Sequence, residues 1–128
     1  MPDTRTPQPR LRLKVGNEVA MGPGKAQLLA LIDQHRSISA AARAMGLSYR
    51  RAWLLVETMN RCAVSPLVMT ATGGRRGGGA QLSALGQDTL ARYRRLEQRL
   101  LELLLAHLKR LPIMLEAKFV ELMRLLQK

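Results

Sequence analysis

Between Ser37 and Cys62 the chain reads SISAAARAMGLSYRRAWLLVETMNRC, and no other stretch restricts the fold as tightly. Ser39 is expected to cap a short helix from Ala40 to Met45, in which Ala41 and Ala42 are small enough to let a second helix approach closely. Gly46 supplies a residue free to take positive φ, Leu47 plugs inward, and Ser48 caps a second helix running to about Arg61. In that helix Ala52, Leu55, Val56 and Met59 recur at helical spacing as the inward stripe, leaving Arg50, Arg51, Leu54 and Arg61 outward. A short helix, a glycine turn and a capped second helix make a helix-turn-helix.

An unrelated helical hairpin would share this pattern, and charge separates the two readings. Between residues 34 and 87 Glu57 is the one acid, against Arg36, Arg43, Arg50, Arg51, Arg61, Arg75 and Arg76. A plain solvated helical pair mixes both signs. The bias runs through the whole chain, whose 21 Lys and Arg against 9 Asp and Glu give a net charge of +12. Such a balance points to a polyanionic partner, nucleic acid or an anionic membrane surface.

After Cys62, Pro66 precedes Leu67-Val68-Met69-Thr70, and Ala80-Gln81-Leu82-Ser83 follows ATGGRRGGG, so two strands flank a glycine-rich tip. A helix-turn-helix followed by a β-hairpin is a winged helix. The tip is not a phosphate loop of the G-x-x-x-x-G-K-[ST] kind, because no Lys-Ser or Lys-Thr follows its glycines, and no βαβ unit surrounds it as a dinucleotide site requires. A short linker is the bland alternative. As a wing tip, its glycines would let backbone lie close to a sugar-phosphate chain or in a minor groove, with Arg75 and Arg76 supplying charge.

Upstream, residues 1–9 hold three prolines and little apolar content, as in a disordered arm. Leu11, Leu13 and Val15 alternate with Arg12 and Lys14 before GNE and Val19-Ala20-Met21, the pattern of a tight hairpin. Gly22-Pro23-Gly24 ends it, and Lys25 to Arg36 carries Leu28, Leu31, Ile32 and His35 on one helical face. The single cysteine, Cys62, reads as an ordinary buried or half-buried thiol, and His35 and His107 lie too far apart in sequence for a known ligand spacing. No paired carboxylates, nucleophile and base, or metal spacing converge, so neither an enzyme nor a cofactor is expected. The N-terminus lacks the apolar core of a secretory signal and no apolar run is long enough to span a bilayer, which predicts a soluble, cytoplasmic chain.

The run Ser48, Tyr49, Ala52, Trp53 and the wing from Thr72 to Leu82, TGGRRGGGAQL, resemble the N-terminal DNA-binding domain of ModE, the molybdate-responsive regulators, a winged helix related to the LysR type. The resemblance covers roughly residues 11 to 105. It implies a homodimer on a palindromic operator in double-stranded DNA, with the helix from Ser48 in the major groove and the wing on flanking backbone. Full-length regulators of this type also carry C-terminal molybdate-binding barrels, whereas residues 84 to 127 here read as helices, so molybdate binding is not expected of this chain.

Those helices carry Tyr93, Leu96, Leu100, Leu103, Leu104, His107, Leu108 and Leu111 at three- and four-residue spacing; Pro112 then breaks the pattern, and Leu115, Phe119, Leu122, Met123 and Leu126 resume it. They either close the monomer's own core or form a dimer interface. The second is favoured, because a small wing domain cannot cover two such helices. Acidic residues Glu97, Glu102, Glu116 and Glu121 argue against a membrane-surface role.

The expectation is therefore a mainly α chain with small β-hairpins: an arm at 1–9, a winged helix-turn-helix at 10–83, and long C-terminal dimerisation helices at 84–128. Ser48, Tyr49, Arg50 and Arg51 would reach base edges, and Arg43, Arg75 and Arg76 would meet phosphates or the minor groove. Trp53 reads as a core anchor before a stacking residue, and Tyr49 is balanced between the two. The rival class is a sequence-tolerant architectural DNA binder, or an adaptor that recruits a partner through its C-terminal helices.

Overall fold

The computed structural model describes residues 8–71, 79–108 and 123–127. The chain divides into two compact units, Leu11–Tyr93 and a second made of Arg94–Lys128 with Met1–Arg10. The elements in order are β1 (Leu13–Val15), β2 (Glu18–Met21), α1 (Pro23–His35), α2 (Ile38–Met45), α3 (Tyr49–Cys62), β3 (Val68–Thr70), β4 (Ala80–Leu82) and α4 (Ala84–Leu108). This is a winged helix-turn-helix followed by a long helix.

The first hairpin pairs Lys14 with Val19 and Val15 with Glu18 around Gly16, whose φ of 62° only glycine adopts at low cost. Its alternation misleads about which strand faces the core. Leu13 and Val15 are exposed, while Leu11 packs on the core and Met21 is buried. A bulge between Leu13 and Lys14 breaks the two-residue period and re-aims the side chains that follow.

Helix α1 starts two residues before the expected Lys25, because Pro23 at its first position has the right φ and no N–H to leave unpaired. It packs against α2, α3 and β4. That central position explains why Ala26 and Leu29 are buried along with the expected Leu28 and Ile32, whereas Leu31 is half-buried and His35 stands exposed at the helix end. Each fully buried leucine or isoleucine here contributes about 1.5–3 kcal/mol relative to exposure. Arg36 closes the helix in the left-handed region at φ 56° and donates its N–H to the Ile32 carbonyl at 2.8 Å.

The cap of α2 is Ser37, not Ser39. Ser37 Oγ accepts from the Ala40 N–H at 3.1 Å, which brings Ile38 into the first turn with its side chain buried. Ser39, one place inside the helix, is exposed. At the other end Gly46 takes φ 70° and Leu47 N–H reaches back to the Ala42 carbonyl at 2.9 Å, closing the turn of the helix-turn-helix as the sequence predicts. Ala41 and Ala42 are fully buried between helices, and Ala52, Val56 and Met59 form the buried stripe of α3, with Leu55 packed at its edge.

Strands β3 and β4 pair Val68 with Leu82, Met69 with Gln81 and Thr70 with Ala80. Ala71 N–H extends the ladder to the Gly79 carbonyl at 2.9 Å. Ser83 leaves the strand the sequence assigned to it and caps α4: its Oγ accepts from the Gly86 N–H at 3.0 Å and donates to the Pro66 carbonyl at 2.7 Å. Tyr93, buried, donates its hydroxyl to the Leu11 carbonyl at 2.7 Å.

Along the rest of α4, Leu96 and Leu103 of the expected stripe are 45% and 58% exposed, and Leu105, which the stripe omitted, is fully buried. The side chain of Leu108, Leu111, the break at Pro112 and the second helix up to residue 122 lie outside the described residues, as does the arm up to residue 7; residues 123–126 are helical. Among the described residues, no helix is long and apolar enough to cross a membrane.

Candidate nucleic-acid interface

The N-terminal end of α3 gathers four of the predicted contact residues on one exposed turn. Ser48 is held in extended backbone, and its Oγ accepts from the Arg51 N–H at 3.0 Å, so the hydroxyl serves the helix first. Tyr49, Arg50 and Arg51 follow with their side chains exposed, and Arg43 is exposed on α2. None of these three arginines forms a salt bridge among the described residues.

Trp53 and Tyr49 act as one unit. The rings meet edge to face at 90° with centroids 6.4 Å apart, and the indole N–H donates to the Tyr49 hydroxyl oxygen. Trp53 is half-buried and packs on the core, while Tyr49 remains 53% exposed. Trp53 is thus the anchor that the sequence suggests, and it also fixes the phenol one turn before it. The i, i+4 spacing of the two residues is the signal that could have revealed this pairing.

Arg61, on the outward side, is spoken for. Its guanidinium holds Glu18 on β2 through Nε at 3.3 Å and through Nη2. The Arg61 bond first, with its charge in support, keeps the Glu18 carboxyl below its ordinary range. The neighbouring Cys62 thiol donates to the same carboxylate at 3.5 Å and is pushed up, first by burial and then by that bond.

Arg36, noted only as part of the basic count, proves to be a fixture of the wing base. Its carbonyl accepts the Ala80 N–H at 3.0 Å and its guanidinium donates to Gln81 Oε1 at 3.1 Å. Together with Met69, Thr70, Ala71 and Gly79 these residues line an open groove beside the wing strands. Asn60 fixes the other strand: its Oδ1 accepts from Leu67 N–H at 2.9 Å and Val68 N–H at 3.1 Å, and its amide donates to the Val68 carbonyl. The Arg36 role was not legible, since it joins residues 45 apart in sequence; that of Asn60 spans seven or eight residues but depends on how the loop after α3 turns back. Arg75 and Arg76 lie outside the described residues.

No family model matches the chain. It is 41% identical over 88 residues to the molybdenum transport protein ModE of Azotobacter vinelandii, covering 69% of this chain and 33% of that protein. It is 45% identical over 84 residues to the molybdenum-pterin-binding protein MopB of Rhodobacter capsulatus, covering 66% and 31%. The DNA-binding transcriptional dual regulator ModE of Escherichia coli K12 is 39% identical over 88 residues, with 69% and 34% covered. The chain therefore spans about a third of the length of the curated relatives it matches.

Proposed function

Because this chain is homologous over about two thirds of its length to the N-terminal region of ModE-like proteins, we propose that it is a DNA-binding transcriptional regulator acting as a homodimer on a palindromic operator. The observation that carries the reading is the turn Ser48–Arg51: an exposed, carboxylate-free, cationic helix start on the second helix of a helix-turn-helix. Side chains at that end of a recognition helix reach base edges in the major groove, and an arginine there pairs bidentately with guanine. Tyr49, held by Trp53, presents its hydroxyl alongside. Arg43, with Arg75 and Arg76 of the wing, contacts phosphates or the minor groove. Two such helices in a dimer occupy successive major grooves, about 34 Å apart.

The exposed Leu96 and Leu103 on α4 support a dimer interface there. The molybdenum in the relatives' names belongs to proteins about three times as long as the segment they share with this chain. Our reading concerns the shared segment and gives the chain no molybdate site.

Selection of duplexes from a randomised pool, followed by anisotropy on the selected sequence and on a scrambled one, tests the proposal. A preference of about 10³-fold or more is expected of a specific regulator. A ratio near one overturns it in favour of an architectural binder. Light scattering at micromolar concentration tests the dimer, and a monomer there refutes that part.

A further inference from the structure

At the start of α1, Lys25 lies within electrostatic reach of two arginines from two other segments, one of them on α3. Arg12 precedes β1, Lys25 is the third residue of α1, and Arg51 is the third residue of α3. The Arg12 side chain lies over the start of α1, where its Cγ stands 3.5 Å from the position a Cβ on Gly22 would take. Lys25 is half-buried there, within electrostatic reach of both arginines. Its ammonium is held below the ordinary lysine range, first by burial, with Arg51 and Arg12 pushing the same way and Cys62 and Glu18 opposing.

The described fold offsets the group only in part. Glu18 is a carboxylate that reaches Lys25, but Arg61 already engages both of its oxygens. Among the described residues, neither Arg12, Lys25 nor Arg51 forms a salt bridge. Neither α1 nor α3 has an acidic residue in its first turn, and a cation at the third position of a helix opposes the helix dipole. A polyanion placed against the cluster would relieve the repulsion among its like charges.

We propose that Arg12, Lys25 and Arg51 together form a contact point for the phosphates of a nucleic-acid backbone, on the first-hairpin side of α3. The assignment rests on the nucleic-acid-binding reading above and sharpens it: Arg51 belongs to the backbone, and Arg50 is left as the arginine of α3 that reads bases. Arg12 and Lys25 lie outside the helix-turn-helix and the wing and extend the interface to the first hairpin and the start of α1.

The test is anisotropy of the full chain on a labelled random-sequence duplex across a salt series, repeated on a selected duplex. Arg12→Gln and Lys25→Gln should each lower the slope of log affinity against log salt by about 1, and the combined variant by about 2. Each should weaken random and selected duplexes by the same factor, as should Arg51→Gln, whereas Arg50→Gln should weaken the selected duplex alone. Lys25→Arg should keep the wild-type slope, which separates loss of charge from damage to the fold. Arg92→Gln, whose arginine pairs with Asp88 on α4, serves as the reference with unchanged slope. A wild-type chain that binds duplex while the Arg12 and Lys25 variants keep its slope overturns this proposal alone. A wild-type chain that binds neither duplex overturns the nucleic-acid reading and this proposal with it.

Discussion

Gly86, in the first turns of α4, lies so close to the backbone of Leu67 that a Cβ on it would stand 2.1 Å from the Leu67 carbonyl oxygen. The neighbour is main chain, held in place by Ser83 N–H and Asn60, so it cannot give way as a side-chain tip would. Gly86→Ala should therefore destabilise the fold by about 1–3 kcal/mol, the range for overpacking, in spite of alanine's better helix propensity. Urea unfolding followed by circular dichroism measures this, and a stabilised variant would contradict the packing described.

Asn60 serves three backbone groups at the root of the wing. Asn60→Ala leaves Leu67 N–H and Val68 N–H without their acceptor, and should cost about 1–3 kcal/mol for the partly buried groups stranded. The same unfolding measurement applies. A loss within the noise of a surface substitution would mean that water replaces the amide fully.

The pair Glu18–Arg61 makes stability depend on pH in the acid range. Because the folded carboxyl titrates below its ordinary value of 4.5, the pair stabilises the fold above that value and its contribution disappears as pH falls through the lower folded one. Thermal melts across that window should show wild type losing more than Glu18→Gln, with the curves converging at the acid end. The pair is exposed, so the effect is small and should shrink further in high salt.

Cys62 shares that carboxylate, and burial and the Glu18 bond both disfavour its thiolate. Its modification by a thiol reagent near neutral pH should be slower than that of a free cysteine, and faster in Glu18→Gln than in wild type. Equal rates in all three would remove the carboxylate from the account.

Trp53 is the single tryptophan of the chain and its N–H is bonded to Tyr49. Duplex DNA seated on the start of α3 should alter its emission, and Tyr49→Phe, which removes the acceptor, should shift the emission of the free protein. Arg50→Ala should lower affinity for a selected duplex by about 1–3 kcal/mol and spare a scrambled one.

Much of this fold was legible because its signals are local. Gly46, Leu47 and Ser48 announce the turn between two helices, and Ala52, Val56 and Met59 mark the inward face, because capping and 3.6-residue spacing act within a few positions. The local rules erred where two candidates stood close together, as with Ser37 and Ser39, or where a bulge broke the alternation, as at Leu13. Long-range pairings left no trace in sequence. Arg36 with Ala80, Arg61 with Glu18, and Lys25 between Arg12 and Arg51 come together only when the chain closes. For the proposed interface, residue type and spacing pointed to the start of α3, but which arginines remain unpaired is a property of the folded neighbourhood.

The left-handed Arg36 has one more consequence. By passing its carbonyl to Ala80 at the end of the helix that backs α2 and α3, it gauges the span between α3 and the wing strand. Asn60 clamps the opposite jaw from within α3 itself. The wing root is thus a caliper set by the core, one jaw fixed from the end of α1 and the other from α3. On the proposed reading, the reach from α3 to the root of the wing is then a fixed length of the folded core, present before any partner arrives.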